Sequence, residues 1–350
     1  MRLGFGLALM WALGSRAVCA ADGDPAEATA YINWGALTLH PSGFVDWIGM
    51  TRSASTSDSV STRFGHMPLA ATDGQSIGSL RHSRMMLRGD WSAGGVKLTG
   101  YLEADFMNFA AGESPYRWRQ YWGQLTVGRW EILAGQAWSL LRPNRTGIAS
   151  DRGIMNTDVA DAGYHVGLAG SRLRQIRVAY TGGPYKVAAA WETNGNLVAK
   201  AARDGERAHL ELSALTGGQG RRGASASAAI GIGRRLRYVT QQFWAKRCAE
   251  EAMGVVPAGV NGLATIEGVE MRLPYKMEIY SYGGAVYGSR SADNRLVSEW
   301  TVGVNHQRAM PSLLGSLLLS VQYSQAGRAV WDGRSGSMDF VMVRARYNIN

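Results

Sequence analysis

The chain has few of the residues that build disulfides and metal sites. Its 350 residues include two cysteines and six histidines. Cys19 falls in a predicted export signal, so Cys248 remains without a partner and no internal disulfide is expected. The histidines are scattered along the sequence, which predicts no structural zinc site, and we expect neither a metal nor a cofactor.

The sequence also lacks a hydrophobic run long enough to cross a membrane as a helix. A spanning helix needs about 20 consecutive apolar residues. The best stretch, 309 to 327, is interrupted by Pro311, Gly315 and several serines and glutamines. The alternation inside this stretch indicates a strand instead.

The N-terminus has the residue order of a secretory signal peptide. Arg2 is followed by an apolar run, Leu3 to Leu13, and then by Val18-Cys19-Ala20. We therefore predict a signal peptide at 1–20 and a short periplasmic segment at 21–34. The formal net charge of +10 then belongs to an exported protein, so nucleic acid is not an expected partner.

The sequence is rich in segments that alternate between apolar and polar residues. In "VKLTGYLEADFM", 96 to 107, Leu98 and Leu102 take even positions, whereas Lys97 and Glu103 take odd ones. A period of two puts the two sets on opposite faces of a β-strand. The pattern recurs in "LRQIRVAY", "YKVAAAWE", "RAHLELSA" and "DFVMVRARYNIN", and short turn signals between such segments predict antiparallel hairpins.

Helical patterns are nearly absent. The best candidate is "FWAKRCAEEAM", 243 to 253, where Lys246 and Glu250, like Arg247 and Glu251, have the i,i+4 spacing of surface ion pairs. Because no periodic helices are available to cover a sheet, the sequence predicts an all-β fold.

The apolar face of these strands is predicted to meet lipid. Its positions are often Ala, Gly, Tyr or Trp, where a packed β-sandwich core would favour Ile, Leu and Phe. Five tryptophans beside turns or charged residues are candidates for aromatic girdles: Trp91, Trp118, Trp122, Trp130 and Trp138. At roughly 20 residues per strand and turn, we predict an antiparallel transmembrane β-barrel of about 16 strands (roughly 14–18) over 35–350, with extracellular loops.

Several stretches resemble a known family. "LHPSGFVDW" (39 to 47), "SLRHSRMMLRG" (79 to 89), "GYLEADF" (100 to 106), "YRWRQYWGQL" (116 to 125) and "LAGQAWSLLRPNR" (133 to 145) occur in the order found in the DcaP-like outer-membrane porins. The resemblance implies a homotrimeric channel in the bacterial outer membrane. It also implies passage of small anionic solutes such as dicarboxylates.

Charged residues on the polar face are candidates to line the lumen of such a barrel. They are Arg84, Arg88, Lys97, Glu103, Asp105, Arg117 and Arg119. We expect basic and acidic residues of neighbouring strands to form facing walls with a transverse field, and an excess of Arg and Lys to favour anions. The alternative is a structural ion-pair network that keeps the wall hydrated but does not tune selectivity.

The segment "LRPNRTGIASDRGIMNTDVAD", 141 to 161, is too long for a tight turn. We predict that it folds into the barrel as a constriction loop that carries Arg142, Arg145, Asp151 and Arg152, with Asp158 further along. The alternative is a solvated surface loop whose arginines bind lipopolysaccharide phosphates or nothing.

Together these patterns predict an outer-membrane porin that passes small hydrophilic, anionic solutes by passive diffusion. Its other expected partners are outer-membrane lipid and lipopolysaccharide. Enzymatic signatures are weak, because no Gly-x-Ser-x-Gly is present and His209 with Glu211 is the best acid–base pair. We therefore predict that the protein is not an enzyme. A barrel hydrolase of lipid or peptide, and a plugged structural or adhesive barrel, remain the alternatives.

Overall fold

A computed structural model gives the fold. It describes residues 31–108, 115–155, 165–252, 255–290, 293–310 and 315–349. The predicted signal peptide and residues 21–30 of the predicted periplasmic segment lie outside these ranges. Within them, no helix is long and apolar enough to cross a membrane.

Strands make up nearly all the regular structure of the described residues. They are β1 (Ile32–Trp34), β2 (Leu37–Arg52), β3 (Gln75–Ser79), β4 (Arg84–Ala93), β5 (Val96–Asp105), β6 (Arg117–Val127), β7 (Trp130–Trp138), β8 (Arg172–Gly182), β9 (Tyr185–Glu192), β10 (Asn196–Asp204), β11 (Ala208–Gly217), β12 (Arg221–Ile232), β13 (Leu236–Lys246), β14 (Gly262–Leu273), β15 (Met277–Gly288), β16 (Asn294–Met310), β17 (Gly315–Val330) and β18 (Ser335–Ile349). Short 3-10 turns lie at Phe64–His66, Gly218–Gly220 and Ala249–Glu251.

The sheet closes on itself as a barrel. Each long strand pairs antiparallel with its neighbours in sequence, and β18 pairs with β2 from Phe340↔Arg52 to Ile349↔Gly43. β3 and β4 pair with successive halves of β2 and share one position, while the three-residue β1 only extends one end of β2. The described strands therefore fill sixteen positions, which confirms the predicted all-β antiparallel barrel.

The predicted alternation sets the two faces of the barrel wall. On β5, Leu98 and Leu102 are exposed on the outside, whereas Thr99, Tyr101 and Glu103 are buried on the inside. An outward apolar surface on a closed barrel suits a bilayer, because every strand hydrogen bond is made within the wall.

Aromatic residues mark both rims of this outer surface. Trp130 and Tyr185 lie outward next to short turns, and Trp191 and Trp244 lie outward at the opposite strand ends. The prediction of a girdle role was wrong for two of the five tryptophans. Trp122 stacks on Tyr101 inside the barrel, and Trp138 is buried against the segment that follows β7.

A β-bulge explains the inward turn of Trp122. In the pairing of β5 with β6, Glu103 faces Gln120 and Ala104 faces Trp118, so Arg119 is an extra residue. The bulge reverses the alternation, because two successive residues now lie on the inner side. Trp118 therefore points outward and Trp122 inward although both occupy even positions.

The two ends of the barrel differ. At the short-turn end, connections such as 94–95, 128–129 and 233–235 span two or three residues. Gly94 and Gly95 both have positive φ, 57° and 79°, as a two-residue hairpin turn requires. The long-loop end carries longer segments, among them 53–74, 139–171 and 247–261.

The predicted helix at 243–253 was wrong. Phe243 to Lys246 complete β13, and only Ala249–Glu251 forms a single 3-10 turn. The acidic residues pair elsewhere, because Arg221 on β12 reaches Glu250 at 2.7 Å and Glu251 at 3.2 Å. Strand pairing of Phe243 with Ala264 and Ser225 outweighs the local helix pattern.

Candidate functional site

The charged residues predicted on β4, β5 and β6 lie together on the inner face of the barrel. Asp105 accepts hydrogen bonds from Arg117 Nε at 2.9 Å and from Arg119 Nη1 at 2.7 Å. Glu103 contacts Arg119 closely and lies 3.3 Å from Arg84 Nη1. Three guanidinium groups thus surround two carboxylates.

This arrangement corrects the expectation of facing basic and acidic walls. Arg84, Asp105 and Arg117 are direct cross-strand partners, so opposite charges meet side by side on adjacent strands. Opposite charges therefore pair within one wall, and the electric field in the lumen depends on the net charge of that wall.

A second charged group lies on the same wall nearer the short-turn end. Asp90 contacts Arg88 Nε at 2.7 Å, Lys97 Nζ at 3.1 Å and Thr99 Oγ1 at 2.7 Å. Arg88 also contacts Asp151, which belongs to the segment after β7. The two groups give the β4–β6 wall a charged surface along much of its height.

The segment that follows β7 lies against the inner face of the barrel. Leu141 O accepts a hydrogen bond from Gln241 Nε2 on β13 at 2.9 Å, and Ala169 N donates to Gln241 Oε1 at 2.8 Å. Lys200 Nζ on β10 donates to Arg142 O at 2.6 Å. We call the described residues 139–155 and 165–171 the inner loop.

The tip of the inner loop reaches across the lumen. Arg145 forms a two-pronged contact with Glu270 on β14, with Nη1 to Oε2 at 2.5 Å. Six residues on, Asp151 contacts Arg88 on β4. Because β4 and β14 are well separated around the barrel, this stretch forms a bar between two walls.

The other loop residues singled out from the sequence have different surroundings. The Arg142 guanidinium stacks on the ring of Trp138 at 4.7 Å, and Arg172 approaches the same ring at 5.0 Å. Arg152 has an exposed side chain next to Asp151. Asp158 lies outside the described residues.

Sequence reasoning missed the residues that hold the inner loop. Lys200 and Glu211 form a buried ion pair at 2.9 Å, and Glu211 accepts a hydrogen bond from Asn144 N at 3.1 Å. The signal was available, because Lys200 is a charge in the middle of the inward side of an alternating, alanine-rich strand. What the sequence could not supply was the loop segment that it meets.

A second inward segment was also missed. Val60, Phe64 and Met67 of 53–74 are buried, and the Phe64 ring lies 6.2 Å from that of Phe340 on β18. Arg52 Nη2 donates to Ser59 O at 2.8 Å and ties this segment to β2. The lumen is therefore filled from two directions at the long-loop end.

Exposure separates the filled side of the lumen from the accessible side. Inward side chains at mid-height on β13, β16 and β17, such as Gln241, Thr301 and Gln322, are fully buried. On the β4–β6 wall, the side chains of Arg84, Arg88 and Arg117 keep 18%, 19% and 39% of their surface exposed. The accessible part of the lumen therefore follows the β4–β6 wall.

This side of the barrel carries excess positive charge on its inner face, although three of its cations, Arg52, Arg119 and Arg344, are buried. Across β18 and β2–β6, eight cations point inward against four carboxylates, and Asp151 of the inner loop brings a fifth. The cations are Arg52, Arg84, Arg88, Lys97, Arg117, Arg119, Arg344 and Arg346, and the carboxylates on the strands are Asp46, Asp90, Glu103 and Asp105. The net charge of this set is +3, and the exposed Arg152 of the inner loop raises it to +4.

Comparison with known proteins shows the fold. No family model and no curated protein matches the chain. The crystal structure of the outer membrane channel DcaP of Acinetobacter baumannii superimposes with a TM-score of 0.74 at 15% identity, covering 91% of this chain and 99% of that one. An anion-selective porin from Comamonas acidovorans gives 0.60 at 13% identity, over 89% and 100% of the two chains.

A third outer-membrane protein also shares the fold. OmpT, an outer membrane protein of Vibrio cholerae solved in a trimer form, gives a TM-score of 0.56 at 10% identity, over 89% and 99% of the chains. The resemblance to DcaP-like porins is thereby confirmed at the level of the fold. A closed barrel of this fold with an apolar outer surface is a bacterial outer-membrane protein.

Proposed function

We propose that the protein is a porin that lets small hydrophilic solutes cross the outer membrane by passive diffusion, with a preference for anions. The observation that carries the proposal is the excess of cations on the inner face of β18 and β2–β6, where Arg84, Arg88, Lys97, Arg117 and Arg346 keep exposed surface. A narrow aqueous passage focuses this charge, which raises the local concentration of anions and lowers that of cations.

The proposed route follows the β4–β6 wall past the inner loop. Arg84 and Arg117 are partly exposed on the long-loop side of this route, and Arg88 with Asp151 narrows it at the inner loop. In this reading the inner loop is the constriction and Arg152 is its exposed cation. A passing anion meets guanidinium groups in succession.

Passive passage is favoured over hydrolysis by the surroundings of His209. Its Nδ1 lies 2.6 Å from Asp204 and its Nε2 lies 3.1 Å from Glu211. A carboxylate thus lies beside each ring nitrogen, although only Nδ1 makes a hydrogen bond, and the ring is buried beside the inner loop. A general base needs a free nitrogen within reach of a nucleophile. The proposal accordingly includes no enzymatic activity.

The proposal also includes assembly as a homotrimer in contact with lipid and lipopolysaccharide. The trimer form of the OmpT neighbour supports the assembly. The exposed outward residues, such as Leu212, Ile176 and Trp300, supply the apolar surface for lipid chains. Chemical crosslinking of the purified protein, followed by mass measurement, tests the trimer.

The reversal potential of the purified protein in a planar bilayer under a salt gradient tests the anion preference. We expect an anion-selective potential that moves toward cations when Arg117 and Arg119 are both replaced by glutamine. A unit charge about 6 Å from a passing ion in water contributes about 0.7 kcal/mol, so each lost charge should change the local ion ratio about threefold.

A charge-neutral variant provides the control. Replacing Glu103 and Arg119 together by glutamine removes one charge of each sign from the same cluster, so the potential should stay near that of the unaltered protein. If the Arg117→Gln/Arg119→Gln variant keeps its full anion preference, these two residues do not set the selectivity. Cation preference in the unaltered protein would contradict the proposal.

A plugged structural barrel is the second candidate, and a specific observation favours it. The inner loop and the 53–74 segment bury most inward side chains at mid-height, among them Gln241, Thr301 and Gln322. This reading predicts no conductance from protein that is folded and inserted. A steady conductance would exclude it, and the same bilayer recording therefore decides between the two candidates.

A further inference from the structure

A second basic surface lies at the short-turn end, on the wall away from β4–β6. Three connections meet there: 205–207 between β10 and β11, 233–235 between β12 and β13, and 274–276 between β14 and β15. These three connections and the strand ends beside them form one side of the short-turn end of the barrel, which we call the rim. Arginines lie in or beside each connection: Arg207, Arg234, Arg235, Arg237 and Arg272.

Backbone hydrogen bonds fix these connections relative to one another. Gly231 N donates to Arg207 O at 2.6 Å, and Arg272 N donates to Arg235 O at 2.8 Å. Gly205 N closes its own turn by donating to Ala208 O at 2.8 Å. The arginines are therefore mounted on a linked, rigid rim rather than on independent loops.

The rim encloses a concavity of about 310 Å³. Its lining includes the five rim arginines, and its floor is formed by Arg145 and Thr146 of the inner loop. Arg145 is held by Glu270, so the floor is the same ion pair that anchors the loop to β14. The concavity opens at the short-turn end of the lumen, next to the tip of the inner loop.

Positive charge predominates where the concavity is exposed. Two of its carboxylates are already engaged from behind: Asp204 by Lys186 Nζ at 2.6 Å, and Glu270 by Arg145 and Tyr282. Glu206 and Glu278 are the other carboxylates of the lining. The lining also contains four arginines with exposed side chains: Arg207, Arg234, Arg235 and Arg272.

We propose that this rim is a binding site for a small multivalent oxyanion, one that carries two or more carboxylate or phosphate groups. A guanidinium donates two parallel hydrogen bonds to such a group, and arginines on two connections and at the end of β14 can engage groups that point in different directions. The volume lies at the lower end of the range for small-molecule sites, which suits a compact ligand.

The site deepens the proposed function and rests on it for a role in transport, since it would hold anions at one mouth of the passage. Binding itself needs no conducting pore. The proposed oxyanion site and the proposed porin function can therefore be tested separately. Calorimetry measures binding at the rim, and the reversal potential measures the effect of the β4–β6 wall on selectivity.

Calorimetric titration of the full-length protein with pyrophosphate, in nanodiscs of zwitterionic lipid, tests the site. We expect saturable binding that weakens about tenfold or more in an Arg234→Gln/Arg235→Gln variant, because hydrogen bonds to charged groups are lost. An Arg207→Gln/Arg272→Gln variant should weaken it similarly, which guards against local misfolding of one turn.

A variant with the same change in net charge at the opposite end supplies the control. Arg295 and Arg334 are exposed at the long-loop end, and replacing both by glutamine should leave pyrophosphate binding unchanged. The proposal is overturned if the unaltered protein shows no saturable binding, or if this control weakens binding as much as the rim variants do.

Repeating the titration in nanodiscs with phosphatidylglycerol identifies the source of the anion. Weaker pyrophosphate binding there, absent from the rim variants, would show that lipid phosphates compete for the arginines. Unchanged binding would show that the rim takes its anion from solution. Both results support an oxyanion site.

Discussion

Replacing Lys200 by methionine tests how the inner loop is held across the lumen. Lys200 Nζ donates to Arg142 O at 2.6 Å, to Glu211 Oε1 at 2.9 Å and to Asn144 Oδ1 at 3.2 Å. All three ammonium protons are therefore used, two of them on the loop. Methionine keeps much of the length and apolar volume of the side chain but offers no donor.

The expected cost follows from the burial of the pair. Lys200 and Glu211 each expose 1% of their side chains, so removing the ammonium leaves a carboxylate buried beside two loop groups. Breaking a buried ion pair at one partner costs about 3–5 kcal/mol. Moving the loop away from β10 would hydrate Glu211 and relieve this cost, so we expect the loop to detach.

Single-channel conductance and the urea midpoint of unfolding together detect this change. We expect a larger or noisier conductance and a lower midpoint in Lys200→Met. The double variant Lys200→Met/Glu211→Gln should recover part of the midpoint, because no charge is then left buried.

The same substitution at Lys186 provides a matched control. Lys186 contacts Asp204 at 2.6 Å but keeps 23% of its side chain exposed, and exposed ion pairs contribute about 0–1 kcal/mol. Unchanged conductance and stability in Lys200→Met, or equal effects in the two variants, would refute the argument that Lys200 holds the loop.

Two further predictions concern the 247–261 segment at the long-loop end. Cys248 is fully buried, and burial raises the pKa of its thiol to about 11, with Glu250 adding to the shift. We therefore expect maleimide at neutral pH to label this thiol only after unfolding. Rapid labelling of the native protein would contradict this prediction. Burial also raises the pKa of Glu251 above its ordinary value of 4.5, although Arg221 opposes the shift. The folded state therefore holds this proton more tightly than the unfolded state does, so its contribution to stability is full below pH 4.5 and is lost as the pH rises through the raised pKa. Glu251→Gln keeps acceptors for Asn194 and Asn196 and should abolish this part of the pH dependence in urea titrations; an unaltered profile would show that another group causes it.

The fold was predictable from the sequence because the alternation that specifies each strand involves only neighbouring residues. The alternation of Leu98 and Leu102 with Thr99 and Glu103 determines which face of β5 meets lipid, whatever the rest of the chain does. Strand number followed from chain length, since strand and turn lengths vary little in such barrels. Neither inference required knowledge of distant contacts.

The pairing of charges was not predictable in the same way, because it depends on register and on one bulge. The extra residue Arg119 on β6 lies between Glu103 and Asp105 instead of opposite a single partner. A period of two carries no information on where a bulge occurs. The sequence analysis therefore placed these charges in opposed walls rather than in one network, and it did not single out Asp90.

The most consequential gap concerns what an inward polar side chain meets. Alternation predicts that Lys200, Gln241 and Arg117 all face the lumen, and it cannot distinguish water from protein there. Gln241 meets the backbone of Leu141 and Ala169, so it serves the loop, whereas Arg117 keeps 39% of its side chain exposed. The number of inward arginines is therefore a poor guide to selectivity. The excess that remains accessible after the loop has taken its partners is the quantity that a passing ion experiences, and Arg117 belongs to that set whereas Arg119, with 4% of its side chain exposed, does not.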